Sequence, residues 1–371
     1  MPKWVLLADL PEGVVKDYAA MFLGAPAAYW IQNADTDFRM LQVKEDLFLP
    51  VTINYTEWES TFTCSPFTAY VLYAQDEIKR NIQNPLLKWG LLGLLKGASL
   101  ILKAGQINQN VHVNNFLLST NPYPAWSGTE LKDVTVFLRD AFPQHALIFR
   151  SLNEPQHGYL LESFRRNGYA LVGSRQVYLY DLTWDMWRKH NNNKQDLRLM
   201  RKQNLHYLDH NAMGSYLQEA LVLYQKLYLE KYSQHNPQFT LPFFQTCHQS
   251  QSLIFQGFAD KEGRLKAFSG LFVIEQTITS PLVGYDTDAP QKQGLYIHAI
   301  QSVFDYMFKT GKTLNLSSGA AHFKRLRGGK PAIEYSAVYF SHLPFFRRMV
   351  YGLLLQLSNK IGIPLMKKYE L

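Results

Sequence analysis

The first half of the chain alternates between segments with helical spacing and short segments with strand character. Apolar residues that recur every three or four positions indicate helices, whereas short runs rich in β-branched and aromatic residues indicate strands. In chain order the pattern predicts a helix near 11–22, strands near 47–55 and 111–119, a helix near 129–141, a strand at 145–152, a helix near 156–167 and a strand at 175–182. This alternation is typical of an α/β domain.

The second half repeats the alternation after an asparagine-rich run at 188–195, which is the best candidate for a domain junction. The pattern there predicts a long helix around 213–232, strands at 252–259, 265–275 and 277–286, a helix at 293–311, and strands at 313–318 and 333–340. The two halves have similar lengths and a similar order of elements. We therefore predict two domains, residues 1–183 and 184–371, that repeat one fold.

Segment 85–103 has one cationic face. Lys88 and Lys96 interrupt its apolar runs, so that none reaches the ~20 residues needed to cross a membrane. On a helical wheel these two lysines share a face with Lys103. The nearly opposite face carries three glycines, Gly90, Gly93 and Gly97. The pattern favours a core helix packed closely against a neighbour, and the alternative is a helix on a membrane surface.

The C-terminal segment 345–362 is amphipathic as well. Its apolar arc consists of Phe346, Val350, Leu353, Leu354, Leu357 and Ile361. Its polar arc consists of Arg347, Arg348, Ser358 and Asn359, with Leu355 as the exception. Because an isolated helix of this length is marginal in water, we expect it to dock on the preceding domain. The alternative is attachment to an anionic membrane leaflet.

Composition and charge narrow the function classes. The chain has 371 residues, of which 47% are hydrophobic, and this is enough for two buried cores. Its net charge of +8 favours an anionic partner, which could be a phosphate-bearing cofactor, a nucleic acid or an anionic lipid surface. Cys64 and Cys247 lack the spacing of a disulfide framework or a zinc site, so no metal is expected. The N-terminal apolar run is too short for a signal peptide, and we expect a cytoplasmic protein.

Two segments of the second half point to anion chemistry. A predicted strand passes into a helix at four residues, Gln291, Gln293, Gly294 and Leu295. At such a junction, unpaired amides and the helix dipole bind phosphate groups. Segment 314–329, LNLSSGAAHFKRLRGG, places a lysine and two arginines before paired glycines at the end of a strand. Since glycines permit a tight turn, this segment predicts a cation cluster fixed on a short loop.

These residues resemble motifs of the GNAT superfamily of acyltransferases. Gln291 and Gly294 match the first and fourth positions of its pyrophosphate loop, Q/R-x-x-G-x-G/A, although Tyr296 stands where a small residue is usual. The stretch HFKRLRGG resembles the F-K-x-x-F-G turn of Fem-type aminoacyl transferases. It also resembles the G-D-E-x-Y-K turn of related enzymes of polysaccharide biosynthesis, except that Ala320 replaces the acidic residue.

The resemblance extends upstream of this turn. Arg198 and Arg201 fit the basic segment R-x-x-R-x-A-x-K-x-G of both groups, and Tyr285 with Asp286 fits their aromatic–acid pair. Fem-type proteins carry two GNAT-like domains in one chain, although their helical-arm insertion is missing here. The resemblance implies an α/β (α+β) fold of two GNAT-like domains in tandem, each a mixed, mostly antiparallel sheet flanked by helices.

For the chemistry, the resemblance implies transfer of an acyl group to an amine or hydroxyl through a tetrahedral oxyanion. We predict that Lys324 stabilises that charge or a donor phosphate. Asp286 is the first choice for the general base, with Glu334 and His322 as alternatives. Tyr285, beside Asp286, belongs to the same predicted site. The predicted donor contacts are Gln291, Gln293, Gly294, Leu295, Arg198 and Arg201.

Three functions are compatible with the sequence. The leading one is a cytoplasmic acyltransferase that uses acyl-CoA, without a metal, on a small-molecule, peptide or lipid-linked acceptor. The second is a Fem-like transferase whose donor is aminoacyl-tRNA, with the basic segment 194–202 on the RNA. The third is a non-catalytic GNAT-like module at the inner face of the membrane or in a complex. The two amphipathic segments and the departures at Tyr296 and Ala320 favour this third function.

Overall fold

Twelve strands join into one mixed sheet in the computed structural model, which describes residues 1–369. The strands are β1 (Lys3–Val5), β2 (Asp37–Lys44), β3 (Leu47–Asn54), β4 (Asn110–Val113), β5 (Ala146–Asn153), β6 (Ala170–Tyr180), β7 (His206–Leu208), β8 (Ile254–Ala259), β9 (Leu265–Ile274), β10 (Thr277–Tyr285), β11 (Thr313–Asn315) and β12 (Lys330–Tyr339). Their order across the sheet is β1-β2-β3-β4-β5-β12-β6-β11-β10-β9-β8-β7.

Helices flank this sheet. They are α1 (Val14–Gly24), α2 (Ala27–Trp30), α3 (Tyr73–Asn81), α4 (Pro85–Ala104), α5 (Leu131–Ala141), α6 (Glu154–Arg166), α7 (Trp184–Trp187), α8 (Asn191–Gln203), α9 (His210–Met213), α10 (Leu217–Tyr224), α11 (Leu241–Gln249), α12 (Leu295–Thr310), α13 (Ala321–Arg325), α14 (Phe345–Leu357) and α15 (Ile363–Tyr369). A π-helical turn, Ser358–Gly362, joins α14 to α15. Asn84 is the N-cap of α4, and its side chain accepts a hydrogen bond from the Leu87 amide. Proline stands at the first position of the helix.

The two halves of the chain build the same strand pattern. Strands β1 to β4 pair antiparallel, and β5 then pairs parallel to β4. In the second half, β7 to β10 pair antiparallel and β11 pairs parallel to β10. This repetition confirms the predicted fold class, a mixed and mostly antiparallel sheet with helices, in a duplicated arrangement.

The halves exchange their last strands. Strand β12 of the second half lies between β5 and β6, and β6 of the first half lies between β12 and β11. Both contacts of β12 are antiparallel. The predicted boundary at 183 and 184 falls between β6 and α7, but each half needs a strand of the other to complete its part of the sheet. We therefore expect neither half to fold alone.

The two faces of the first half are covered by different helices. Along β5, Leu147 and Phe149 belong to the cluster that α5 and α6 cover. Ile148, which points to the opposite face because side chains alternate along a strand, packs in a cluster with Leu102 of α4 and Tyr351 of α14. Helix α4 and the C-terminal helices thus form one cover of the sheet.

Helix α4 differs from the predicted core helix. Only Ala98 and Leu102 are buried in it. Within residues 1–369, no atom of another element lies within 4 Å of the position that a Cβ would take on its three glycines, Gly90, Gly93 and Gly97. Large apolar side chains are instead exposed, namely Leu86 (85%), Trp89 (72%) and Leu100 (68%). Within the described residues, α4 is also the one helix that has the length and composition to cross a membrane.

The C-terminal segment docks on the sheet, as predicted. Val350, Tyr351 and Leu354 are buried. Arg347, predicted on the solvent side, is buried as well, because its guanidinium donates hydrogen bonds to the carbonyl oxygens of Gly105 (3.0 Å) and Gln106 (3.2 Å) at the end of α4. A cation at these carbonyls also complements the helix dipole.

Two glycines let this segment approach closely. A Cβ on Gly105 would lie 2.6 Å from a Val350 methyl, and a Cβ on Gly173 of β6 would lie 2.6 Å from Ile363. Ser358 and Asn359, also predicted to face solvent, hydrogen-bond the backbone of β6 around Gly173. Three of the four residues of the predicted polar arc, Arg347, Ser358 and Asn359, therefore face the protein, whereas Arg348 and, from the predicted apolar arc, Phe346 are exposed.

Candidate functional site

The segment 314–329 folds into a loop built around Lys324. After β11 the backbone takes positive φ angles at Ser317 (58°), Gly319 (77°) and Ala320 (48°), and then forms the short helix α13. Glycine at 328 is required because its φ is 91°. At Gly329 a Cβ would lie 2.8 Å from the Lys324 carbonyl oxygen. The predicted glycine-bounded turn is therefore present.

Lys324 itself lies inside this loop, with 3% of its surface exposed. Its ammonium donates to the carbonyl oxygens of Leu316 (2.6 Å), Ser317 (3.3 Å) and Ser318 (2.8 Å). All three of its hydrogens are thereby used. This geometry disfavours the predicted role of Lys324 as a stabiliser of an oxyanion or a donor phosphate, because its ammonium instead fixes the loop.

Replacing Lys324 with methionine should lower the free energy of unfolding by about 2–4 kcal/mol, because buried carbonyl oxygens lose their hydrogen-bond donor. Burial and the charge of Arg175 lower the pKa of Lys324 to about 7. In the unfolded chain the pKa of a lysine is about 10.4. Between about pH 7 and about pH 10.4 the unfolded chain therefore binds a proton that the folded chain does not, so the stability that Lys324 contributes rises with pH.

The difference between wild-type and Lys324→Met stability should therefore grow from pH 7 to pH 9.5, as measured by urea unfolding. A constant difference over that range would show that the pKa of Lys324 is not lowered in the folded protein.

Helix α8 is anchored to the loop by a buried ion pair. Arg327 donates to both carboxylate oxygens of Asp196 at 2.5 and 2.7 Å, and its guanidinium lies 3.5 Å from the Phe323 ring centroid. Such bidentate pairs fix geometry. Arg198 and Arg201 of α8 are exposed. The predicted basic segment therefore forms a solvent-facing cationic helix held against the predicted turn.

The predicted phosphate cradle lies at the start of α12. Gly294 is its N-cap, with φ 63°, and no side chain caps the helix. Gln291 is exposed and Gln293 half-buried, whereas Gly294 and Leu295 are buried. A Cβ on Gly294 would overlap the Leu199 side chain, so α8 closes this side of the cradle. Gly294 and Leu295 therefore act through the shape of the junction, and Gln291 is open to solvent.

The predicted base Asp286 is already paired. Its carboxylate accepts a hydrogen bond from Lys266, and its neighbour Tyr285 accepts one from Lys231 at 3.0 Å. Burial would raise the pKa of Asp286, but the hydrogen bond and charge of Lys266 outweigh it and hold the pKa below its usual value. A carboxylate with a lowered pKa is a weak base. This geometry disfavours Asp286 as the base.

A cavity of about 230 Å³ lies where the two halves meet. The first half contributes α3, α4 and strands β4 to β6, and the second half contributes β12, the Lys324 loop through Ser318, and the C-terminal helices. Of the predicted site residues, Glu334 lines this cavity. The remaining predicted residues, including Lys324, lie outside its lining.

The inner end of the cavity is polar. Arg175 donates to both carboxylate oxygens of Glu334, at 2.9 and 3.2 Å, and to the Thr120 hydroxyl at 2.9 Å. Arg150 lies beside this pair and donates to the Thr63 carbonyl at 2.7 Å. With both of its oxygens occupied by Arg175, Glu334 holds that guanidinium in place.

Two charged groups of the cavity have no ion-pair partner within residues 1–369, Arg150 and Glu77. Burial and the charge of Arg175 lower the pKa of Arg150 to about 10, so it stays charged at neutral pH. Burial raises the pKa of the half-buried Glu77. The charges of Arg80 and Arg175 lower this pKa, but by less than burial raises it. An unpaired carboxylate with a raised pKa has the properties of a general base.

Arg150, Arg175 and Glu77 were not predicted from the sequence as site residues. One signal was present, because Arg150 interrupts the otherwise apolar strand HALIFRSL and is 9% exposed. Charged side chains are almost never buried without a partner or a function. Glu77 carried no such signal, since it lies in an ordinary polar helical segment.

No family model and no curated protein sequence matches this chain. Among solved structures, FemX is 10% identical over 61% of this chain and 78% of its own, with a TM-score of 0.47. L-PGS from Bacillus licheniformis is 14% identical over 67% and 83%, with a TM-score of 0.42. A tandem GNAT protein from the clavulanic acid biosynthesis pathway is 8% identical over 62% and 75%, with a TM-score of 0.34. The predicted resemblance to Fem-like and tandem-GNAT proteins recurs here, but at these values the likeness assigns neither substrate nor activity.

Proposed function

We propose that this chain is an acyltransferase of GNAT type that moves an acyl group from a phosphate-bearing donor to an amine or hydroxyl acceptor. The observation that carries the proposal is the polar end of the cavity. There an unpaired carboxylate, Glu77, accompanies two guanidinium groups, Arg150 and Arg175, at the junction of the two halves. A base and cationic groups in one site are what acyl transfer requires.

The proposed step begins with the acceptor in the cavity. Glu77 takes the proton of the acceptor amine or hydroxyl as that atom forms a bond to the acyl carbonyl carbon. The carbonyl oxygen becomes an oxyanion, which Arg150 stabilises. When the oxyanion collapses, the bond from the carbonyl carbon to the donor breaks, and the leaving sulfur or oxygen takes up the proton. The Glu334–Arg175 pair keeps the second guanidinium in position.

The donor is assigned to the surface where α8 meets the start of α12. Exposed cations follow one face of α8 at Lys194, Arg198, Arg201 and Lys202, and Lys292 is exposed beside the cradle. Acyl-CoA, whose phosphates these groups could bind, is the leading donor. The α8 cations span about 12 Å along the helix axis, which also suits an RNA backbone. For this reason aminoacyl-tRNA is the second candidate donor.

We expect the double variant Arg198→Ala, Arg201→Ala to bind its donor at least about tenfold more weakly, as two phosphate contacts are lost. Calorimetry on the full chain with CoA, palmitoyl-CoA and aminoacyl-tRNA measures this. The matched control is Lys132→Ala, Lys261→Ala, which removes two exposed cations of α5 and the β8–β9 turn. Equal weakening in both variants would indicate a general charge effect and contradict the assigned site.

The same screen separates the function classes. CoA binding without tRNA binding favours the acyl-CoA reaction, and the reverse favours the Fem-like reaction. A folded protein that binds none of these donors contradicts the proposal and favours the non-catalytic module.

A further inference from the structure

The outer walls of the cavity are apolar, and they come from two elements. Helix α4 contributes Leu91, Leu94, Leu95, Ala98 and Leu102. The C-terminal helices contribute Leu353, Leu354, Leu357, Ile361, Leu365 and Met366. The polar groups lie at the inner end, on β5, β6 and β12. The cavity thus changes from hydrocarbon-like walls to a charged end, which is the polarity of an amphiphile.

The same two elements expose apolar side chains on their outer surfaces. On α4 the exposed apolar side chains are Leu86, Trp89, Leu100 and Ile101. They lie on or beside the face that carries the glycines at 90, 93 and 97, which no other element covers within residues 1–369. On α14 they are Phe345, Phe346 and Met349. Large exposed apolar patches on a folded protein mark interaction surfaces. The walls of the cavity are therefore also an unpartnered apolar surface of the molecule.

The charges on these elements identify the partner as anionic. Segments 85–104 and 345–369 contain no Asp or Glu. Their exposed cations are Lys96, Lys103, Arg348, Lys360, Lys367 and Lys368. Apolar residues accompanied by cations and free of acids are typical of helices that lie in the interface of an anionic bilayer.

Helix α4 is held along the protein surface. Its C-terminal carbonyls at Gly105 and Gln106 are bound by Arg347, and Ala98 and Leu102 pack on the protein. Only 11% of its most apolar 18-residue window is buried. One face of α4 is thus fixed to the sheet and the other is free, which fits a helix lying in the membrane interface.

The inner end of the cavity holds a buried cation without an ion pair. Arg175 is paired with Glu334, whereas Arg150 lacks an ion-pair partner within residues 1–369. An uncompensated buried charge is costly, so a ligand that supplies a negative group is favoured.

We propose that α4 and α14 lie on an anionic bilayer, and that the cavity takes one hydrocarbon chain of a membrane amphiphile with its anionic head toward Arg150. The identification of this amphiphile as the acyl acceptor rests on the proposed function. The binding of the amphiphile in the cavity does not rest on it.

Flotation of the full chain with vesicles tests the surface. Wild type should float with phosphatidylcholine vesicles that contain phosphatidylglycerol and not with phosphatidylcholine alone, and high salt should weaken the binding. Trp89→Glu should lower partitioning at least about tenfold by placing a charge in the apolar interface. The matched control Tyr159→Glu changes an aromatic residue that is 93% exposed on α6, across the sheet, and should float as wild type does. Failure of wild type to float, or equal loss in both variants, overturns the surface assignment.

Binding of dodecyl phosphate and dodecanol, measured by calorimetry, tests the cavity. Wild type should prefer the phosphate, Arg150→Met should lose that preference, and Leu94→Trp should weaken both by filling the chain site. Circular dichroism checks that each variant is folded, and Leu95→Phe replaces Leu94→Trp if the latter is not. Unchanged binding in folded variants overturns the cavity assignment. If these probes bind but no acyl transfer occurs with any donor, the inference stands and the proposed function fails.

Discussion

Replacing Glu77 with glutamine is expected to lower kcat about 100-fold, within the range that a general base contributes. The substitution keeps the size of the side chain and removes only its ability to take a proton. Since Glu77 forms no ion pair within the described residues, we expect the fold to survive. Steady-state kinetics with the donor identified by calorimetry measures the effect.

The pH dependence adds a second test of Glu77. A base must be deprotonated, so the rate should fall as pH drops through its pKa, which burial raises above the usual value. Glu77→Gln should lose this acid limb, whereas Glu162→Gln, at a partly exposed glutamate of α6 outside the cavity, should keep both the rate and the limb. An unchanged kcat in folded Glu77→Gln would show that another group is the base.

Truncation after Pro344 should yield an aggregated protein. It removes the buried side chains of Val350, Tyr351 and Leu354 and uncovers their partners in the cluster with Ile148 and Leu102. Each such loss costs about 2–5 kcal/mol, and together they are comparable to the 5–15 kcal/mol by which domains are usually stable. Size-exclusion chromatography and circular dichroism measure the outcome.

Two point variants distinguish the effect of lost side-chain packing from the effect of removing the C-terminal segment. Tyr351→Ala should lower the free energy of unfolding by about 3–5 kcal/mol, because a fully buried aromatic side chain leaves a cavity. Met349→Ala, on the exposed side of the same helix, should change it by less than about 1 kcal/mol. A soluble, cooperatively folding truncated chain would show that the C-terminal helices are an accessory to the fold.

Most elements were predictable because their signals are local. The spacing of apolar residues located α5, α6 and α12 as well as β3, β5 and β8 to β10, and the repeated order indicated duplication. The exchange of β6 and β12 was not predictable, because strand pairing depends on residues far apart in sequence. Strands β1, β2 and β7 were missed, and β4 ends at Val113, where positive φ angles at Asn114 and Leu117 interrupt the predicted longer strand.

The limits at the site have the same origin. Periodicity showed that α4 has different faces, but it could not show that the glycine face lacks a neighbour. Lys324 was predicted to bind an anion, and the burial of its ammonium was not predictable because its three carbonyl partners are offered by a loop conformation that composition does not reveal. Glu334 was named from its place on a strand, whereas its partner Arg175 and the nearby Arg150 come close to it only through β-sheet pairing.

Transfer of a labelled group to lipid tests the central claim most directly. The full chain is incubated with phosphatidylglycerol-containing vesicles and, in separate reactions, with radiolabelled acetyl-CoA, palmitoyl-CoA or aminoacyl-tRNA, and the lipid fraction is then extracted and counted. The account predicts that one of these donors labels the lipid with the wild-type protein and that Glu77→Gln reduces the labelling about 100-fold. A folded, vesicle-bound protein that labels no lipid with any donor would contradict it.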